Sequence, residues 1–200
     1  MERNLQIFST FRVAEHKLQV APVAVAAVDC LQSIYQTSHS WWVPRIPKLA
    51  FKEVRAVQVI DATRRCFSLT FHELQAQAHN RFDSSLLRRL WQISDPGADS
   101  PHESSLRLTV QDLAEWESQV ELCDIFENRV TVADLADHES KVALFYDGVH
   151  HLDRKQRDLD TSINQKLLQV GWTPVRITAG QLRNPLQLRS TIQTLIRSRR

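Results

Sequence analysis

The stretch Val142-Ala143-Leu144-Phe145-Tyr146-Asp147-Gly148-Val149-His150-His151 decides how the rest of this chain is interpreted. It begins as an apolar run of strand length and ends abruptly in an aspartate, a glycine and two histidines. A second apolar run, from Val130 to Leu135, lies just upstream and carries the carboxylate Asp134 near its end. Two strands that bring carboxylates and imidazoles to one place can build a metal site. A metal site is therefore the first hypothesis for this region.

The sequence around this stretch predicts a three-strand meander. Residues Val120 to Ile125, Arg129 to Ala136 and Lys141 to Tyr146 each have the composition of a strand, and only short turns separate them. Parallel neighbours need a long crossover, so strands joined by such short links must be antiparallel.

Helices flank the meander on both sides. A capping serine, a proline and a glutamate at 100, 101 and 103 predict a helix that runs to about Trp116. After the meander, apolar residues recur every three or four positions up to Val170, which predicts a helix that Gly171 stops. The strand Trp172 to Thr178 is then parallel to the third strand. A last helix begins at Asn184-Pro185, and its buried stripe is predicted as Leu188, Ile192 and either Leu195 or Ile196.

Residues 1-95 have a different character, and the sequence predicts a mainly helical region there, a candidate recognition module. A strand is predicted from Leu5 to Val13, and helices over Val23 to Tyr35, Val54 to Cys66 and after the capping box Thr70 to Glu73. Part of the second helix would also suit a strand. The proline-containing loop with Trp41-Trp42 is either a platform for nucleobases or a packing element. The turn residues from Ser94 to Ser100 mark the boundary with the second domain, 100-200.

Composition narrows the class of protein. The 200 residues are 42% hydrophobic and 24% charged with a formal net charge of +2, which indicates a globular chain and no overall charge typical of a nucleic-acid binder. The three cysteines form no CxxC pair, which argues against a disulfide framework or a zinc site. No signal peptide opens the chain, and no apolar run approaches the ~20 residues of a membrane span. We therefore expect a soluble cytoplasmic protein with no membrane partner.

The order of these elements resembles the PD-(D/E)XK nuclease superfamily, and in particular the very-short-patch-repair endonuclease-like domain of bacterial proteins. The resemblance covers residues 100-200. It implies an α/β fold of the restriction-endonuclease-like sandwich type that hydrolyses or nicks DNA with Mg²⁺ or Mn²⁺. The residues that carry it are Ser100-Pro101-His102-Glu103, Asp134-Leu135, Tyr146-Asp147-Gly148 with His151, Asp160, Gly171-Trp172 and Arg176-Ile177-Thr178.

The resemblance also implies a ligand set, with Asp134 as the first metal ligand. A second carboxylate is expected two residues before Asp147, but Phe145 stands there, and no lysine occupies position 147. A phenyl ring cannot bind a hard cation. The very-short-patch-repair enzymes are similar at this point, since they have an aromatic residue here and use a backbone carbonyl, which in this chain is that of Tyr146.

Five further residues receive roles from the same resemblance. Asp147, His150 or His151 would activate water or protonate the leaving group. Glu103 would reach the metal through water, and Gln119 would face the phosphate.

The residues leave alternatives open. Glu103 is equally explained as the capping partner of Ser100, and Asp147 before Gly148 as turn chemistry. The basic residues 154-157 and 197-200 fit either phosphate contacts or solvated helix faces. The domain is thus either an active nuclease or a degenerate nuclease fold. The degenerate fold would bind nucleic acid or regulate a partner, as in bacterial defence or toxin–antitoxin systems.

Overall fold

A computed structural model of the protein describes residues 9–13, 16–148 and 154–200. Within these residues the chain is a mixed α/β protein with a two-stranded hairpin, a four-stranded mixed sheet and eight helices. The elements in chain order are β1 (Ser9–Val13), β2 (His16–Val20), α1 (Val23–Tyr35), α2 (Phe51–Phe67), α3 (Phe71–Ala78), α4 (Ser84–Gln92), α5 (Pro101–Val110), β3 (Glu117–Cys123), β4 (Arg129–Asp137), β5 (Val142–Asp147), α6 (Arg154–Gln169), β6 (Thr173–Thr178), α7 (Ala179–Leu182) and α8 (Pro185–Arg199).

Helices α1 to α4 pack around a first hydrophobic cluster. Leu31, Ile60, Leu74 and Leu90 are each fully buried in it, and each such side chain contributes roughly 1.5–3 kcal/mol to folding. Local capping fixes where the helices start. The hydroxyl of Thr70 accepts the N–H of Glu73 and that carboxylate accepts the N–H of Thr70, which confirms the predicted capping box. The predicted helices of this region are confirmed, including α2, for which a strand was the alternative.

The second part of the chain is built on the sheet, with strand order β3-β4-β5-β6. The first three strands form the predicted antiparallel meander, and β6 pairs in parallel with β5 after the crossover through α6. Gly171 follows α6 with a φ of +86°, the left-handed conformation that ends helices and favours glycine. Leu188, Ile192 and Ile196 form the buried stripe of α8. Of the two alternatives for its last position, Ile196 is therefore the buried one.

The two faces of the sheet carry different clusters. One face packs against α5 and α8 and includes Leu135, Leu144 and Ile177. The other includes Ala143, Phe145 and, from α6, Leu167.

Helix α5 belongs to both halves of the molecule. Leu108 lies in the first cluster, whereas Leu106 and Val110, on the opposite side of the helix, lie in the sheet cluster. A buried ion pair joins α5 to α2: Arg107 Nη2 donates to Asp61 Oδ2 at 3.0 Å, and the two residues are 9% and 1% exposed. Burial raises the pKa of the Asp61 carboxyl, although the nearby Arg107 charge opposes the rise.

The structure corrects two boundaries. Helix α5 ends at Val110, six residues before the predicted end, because the indole N–H of Trp116 turns back and donates to the Val110 carbonyl at 2.9 Å. Trp116, whose spacing suggested a helical position, therefore caps the C-terminus of α5 instead. Strand β3 begins at Glu117, three residues earlier than predicted, so Gln119 lies inside the strand.

The helices in the described part of the chain are too short or too polar to span a membrane. The longest of them, α2, has 17 residues.

Candidate active site

The candidate site lies on a row of positions that crosses the sheet. Gln119 and Asp134 fall between register pairs of β3 and β4, which places them opposite each other. On the next two strands, Phe145 is the register partner of Arg176. The β4–β5 pairing ends at Leu135, one residue short of Asp134. The row therefore marks the position at which β4 stops pairing with β5.

Asp134 takes over from the strand pairing at this position. Its Oδ2 accepts the backbone N–H of Tyr146 at 2.5 Å, so a side chain of β4 satisfies a donor of β5 beyond the last β4–β5 register pair. In a regular strand, side chains two residues apart face the same side of the sheet. Here they do not, because Ala133 packs on the α6 side whereas Leu135 packs on the α5 and α8 side. Asp134 is thus held in a half-buried position by the local irregularity of β4.

Burial raises the pKa of the Asp134 carboxyl to about 6. The hydrogen bond from the Tyr146 N–H opposes this rise, the negative charges of Glu103 and Asp99 add to it, and the Arg176 guanidinium opposes it. Desolvation and like charges both disfavour an ionised carboxyl. A positive charge placed beside Asp134 would oppose both effects, because it favours the ionised carboxylate.

Glu103 lies in the first turn of α5 and has a capping role. Its N–H donates to Ser100 Oγ at 3.2 Å, and its Oε1 accepts from that hydroxyl at 2.9 Å. The predicted capping box is altered, because Oε2 accepts the N–H of Asp99 at 2.8 Å instead of that of Ser100. The same Oε2 accepts from Gln119 Nε2 at 3.1 Å, which connects the cap to the row across the sheet.

Gln119 has a strained backbone. Its φ of 56° lies in the left-handed region, which is uncommon for a residue other than glycine and rare inside a strand. Such outliers persist where surrounding contacts hold them and are enriched at functional sites. The hydrogen bond to Glu103 is one of these contacts.

Tyr146 and Asp147 end β5 beside the row. The ring of Tyr146 stacks on the imidazole of His102, with centroids 4.9 Å apart and planes 10° apart. Asp147 is half-buried, and its carboxylate forms no hydrogen bond or ion pair with another described residue. The two histidines that were predicted for the site, His150 and His151, lie outside the described residues.

Phe145 occupies the position where a second carboxylate ligand was expected. It is 8% exposed and packs in the cluster beside α6. The guanidinium of Arg176 lies 5.6 Å from the centre of its ring. The position therefore contributes apolar packing and a place for a cation, and no oxygen ligand.

Arg176 and His102 are site residues that the sequence analysis quoted without a role. Arg176 Nη2 pairs with Asp160 Oδ1 at 2.9 Å, while its buried Nε has no hydrogen-bond partner. A parallel alignment of β5 with β6 would have identified Arg176 from the sequence. When Asp147 pairs with Thr178, Phe145 pairs with Arg176. The signal for His102 was its place next to Glu103 in the first turn of α5.

No metal-binding group is evident among the side chains that the structure describes. None of them form a cluster of three or more histidine, cysteine, aspartate or glutamate residues arranged to hold an ion. Comparison of the chain with models of protein families, with curated proteins and with solved structures gives no match.

Proposed function

We propose that residues 100–200 form a restriction-endonuclease-like domain that hydrolyses or nicks DNA phosphodiesters with Mg²⁺ or Mn²⁺. The observation that carries this proposal is the environment of Asp134, a half-buried carboxyl with a pKa raised to about 6 at the point where β4 leaves β5. Strongly shifted pKa values of groups held in this way are typical of functional sites. The order of helix, antiparallel meander, helix, parallel strand and helix supports the same proposal.

The residues present suit an ion that needs few protein ligands. Mg²⁺ is commonly held by one or two carboxylates and keeps several waters, so Asp134 and one backbone carbonyl would suffice. The Tyr146 carbonyl is the proposed second ligand, while Phe145 supplies none. When bound, the ion would neutralise charge on the phosphate and lower the pKa of an attacking water.

The other residues have positioning and acid–base roles in this proposal. The Tyr146 N–H orients the Asp134 carboxylate. The charge of Arg176 lies on the same row and would attract a phosphate. Asp147, His150 and His151 are the candidates for moving protons to or from water and the leaving oxygen.

Conversion of supercoiled plasmid to open circles tests the proposal. Wild-type protein is expected to nick with Mg²⁺ or Mn²⁺ and to stop in EDTA. The nicking rate of Asp134→Ala should be lower than that of wild type by roughly 100-fold or more. This loss exceeds the usual effect of replacing a residue that only supports a metal ligand. Asp112→Ala is the matched control, because that carboxylate is exposed and pairs with Arg189 on α8. Equal nicking by both variants would rule out a role for Asp134.

A non-catalytic nucleic-acid-binding protein is the second candidate. Both carboxylate oxygens of Glu103 already accept hydrogen bonds, which engages the side chain that would reach a metal ion through water. Phe145 packs in an apolar cluster and supplies no oxygen ligand. Both observations favour this second candidate. In this case DNA binding in EDTA would be the same for wild type and Asp134→Ala, and no nicking would be seen with either metal. Such a protein would act by occupying DNA or regulating a partner.

A further inference from the structure

The loop between α1 and α2 holds two adjacent tryptophans in different environments. Trp41 is anchored: its Nε1 donates to Gln58 Oε1 at 2.7 Å, and its carbonyl accepts from Arg55 Nε at 2.7 Å. Trp42 is 51% exposed, and its indole N–H has no hydrogen-bond partner among the described residues. Packing therefore explains Trp41 but does not explain Trp42.

The loop presents Trp42 from a fixed base. Val43 and Ile46 are 4% and 3% exposed and belong to the first hydrophobic cluster. The neighbours of Trp42 are thus tied to the core while its own side chain faces solvent. A side chain held in this way loses little conformational freedom when it binds a ligand.

An unpaired cation lies over the exposed indole. The guanidinium of Arg183, which directly follows α7, is 5.5 Å from the centre of the Trp42 ring. Arg183 is exposed and forms no ion pair with any described residue, and the fully buried Leu182 before it anchors this turn. Trp42 and Arg183 therefore form one aromatic and cationic surface built from both halves of the chain.

This surface adjoins the candidate active site. Thr178, the register partner of Asp147 at the end of β5, directly precedes α7, and Arg183 directly follows that short helix. Tyr146 stacks on His102 and donates its N–H to Asp134. The Trp42–Arg183 surface and the candidate active site therefore lie at the same end of β5 and β6.

We infer that Trp42 and Arg183 form a stacking site for an unpaired nucleobase of a single-stranded stretch of nucleic acid next to the candidate active site. The base stacks on the open part of the indole, and Arg183 pairs with the adjoining phosphate. This inference rests on the proposed function and specifies its substrate class.

Charge and shape favour this occupant. The segment from Thr37 to Lys52 carries three basic and no acidic residues, which matches an anionic backbone. Stacking on an aromatic ring with an arginine nearby binds any unpaired base, whereas bases inside a duplex are already stacked.

Fluorescence anisotropy with a labelled oligothymidylate of about 12 nucleotides, in EDTA, tests the inference. Trp42→Ala should weaken binding about 5- to 150-fold, the effect of one stacked base, while Trp42→Phe should retain most of the affinity. Arg183→Gln should lower the slope of log affinity against log salt by about 0.7, the value for one phosphate of a single strand. Phe126→Ala, at an aromatic residue 76% exposed in the β3–β4 turn, is the control and should match wild type.

An abasic oligonucleotide of the same length separates stacking from charge. It keeps the phosphates, so wild type and Trp42→Ala should bind it equally. The inference fails if Trp42→Ala weakens abasic and base-containing strands alike, if it binds oligothymidylate as wild type does, or if wild type binds neither strand. Plasmid nicking that depends on Asp134 is measured separately, so the proposed function can stand when this inference falls.

Discussion

The buried ion pair between α2 and α5 yields a quantitative prediction. Asp61 is 1% exposed, and its carboxylate accepts hydrogen bonds from the Asp95 N–H at 2.7 Å and from Arg107 Nη2 at 3.0 Å. The substitution Asp61→Ala removes both acceptors and leaves Arg107, itself 9% exposed, without its main counter-charge.

The expected cost follows from what remains around Arg107. Breaking a buried ion pair by removing one partner costs about 3–5 kcal/mol. The carboxylate of Asp95 is still 3.8 Å from Arg107 Nε and the carbonyl of Ile93 still accepts from Nη1, so part of the charge stays compensated. We therefore expect a loss near the lower end, ~3 kcal/mol, out of a total free energy of unfolding of about 5–15 kcal/mol.

Urea unfolding followed by circular dichroism measures this loss. The control is Asp112→Ala, which breaks an exposed pair with Arg189 and should cost about 0–1 kcal/mol. The double substitution Asp61→Ala with Arg107→Met should recover at least half of the loss, because it also removes the uncompensated charge. A cost for Asp61→Ala no larger than that of the control, or no recovery in the double variant, would refute this account of the pair.

Two further predictions concern the site and its support. Asp134→Asn should change how stability depends on pH. The Asp134 carboxyl has a pKa of about 6 in the folded protein against an ordinary value of 3.8. Between these two pH values the folded wild type binds more protons than the unfolded chain, so its stability falls as pH rises. The melting temperature of Asp134→Asn should therefore rise relative to that of wild type as the pH increases to 6. Parallel curves of melting temperature against pH for the two proteins would contradict the raised pKa. Gly97→Ala should lower the free energy of unfolding by about 1–3 kcal/mol, since an added Cβ would meet Ser118 Cβ at 2.4 Å. Urea unfolding checks this, and a neutral result would show that the turn can shift away from β3.

Local features of the sequence predicted much of the fold. Caps such as Thr70 with Glu73, the glycine at 171 and the short links of the meander each act within a few residues, so they can be recognised without tertiary contacts. The parallel pairing of β6 followed from the length of its crossover. The short helix α7 was missed, although Thr178 and Gln181 form a capping box there that the sequence displays.

The candidate site depended on interactions that spacing does not reveal. Trp116 looked like a continuation of α5 because its position suits a helix, but its indole instead caps the helix through a hydrogen bond. Gln119 directly precedes the predicted start of the strand at Val120, and its left-handed backbone depends on a contact with another element. The metal ligands and their metal stay predictions.

The sharing of α5 has a consequence for how this protein is made. Synthesis releases the chain from its N-terminus, so α1 to α4 leave the ribosome before α5 does. Until then their hydrophobic cluster lacks Leu108, and its surface on α2 stays open to water and to other nascent chains. The first half of the protein is therefore expected to finish folding only when the helix that opens the second half has emerged. A nascent chain paused after residue 95 is the form we expect chaperones to recognise.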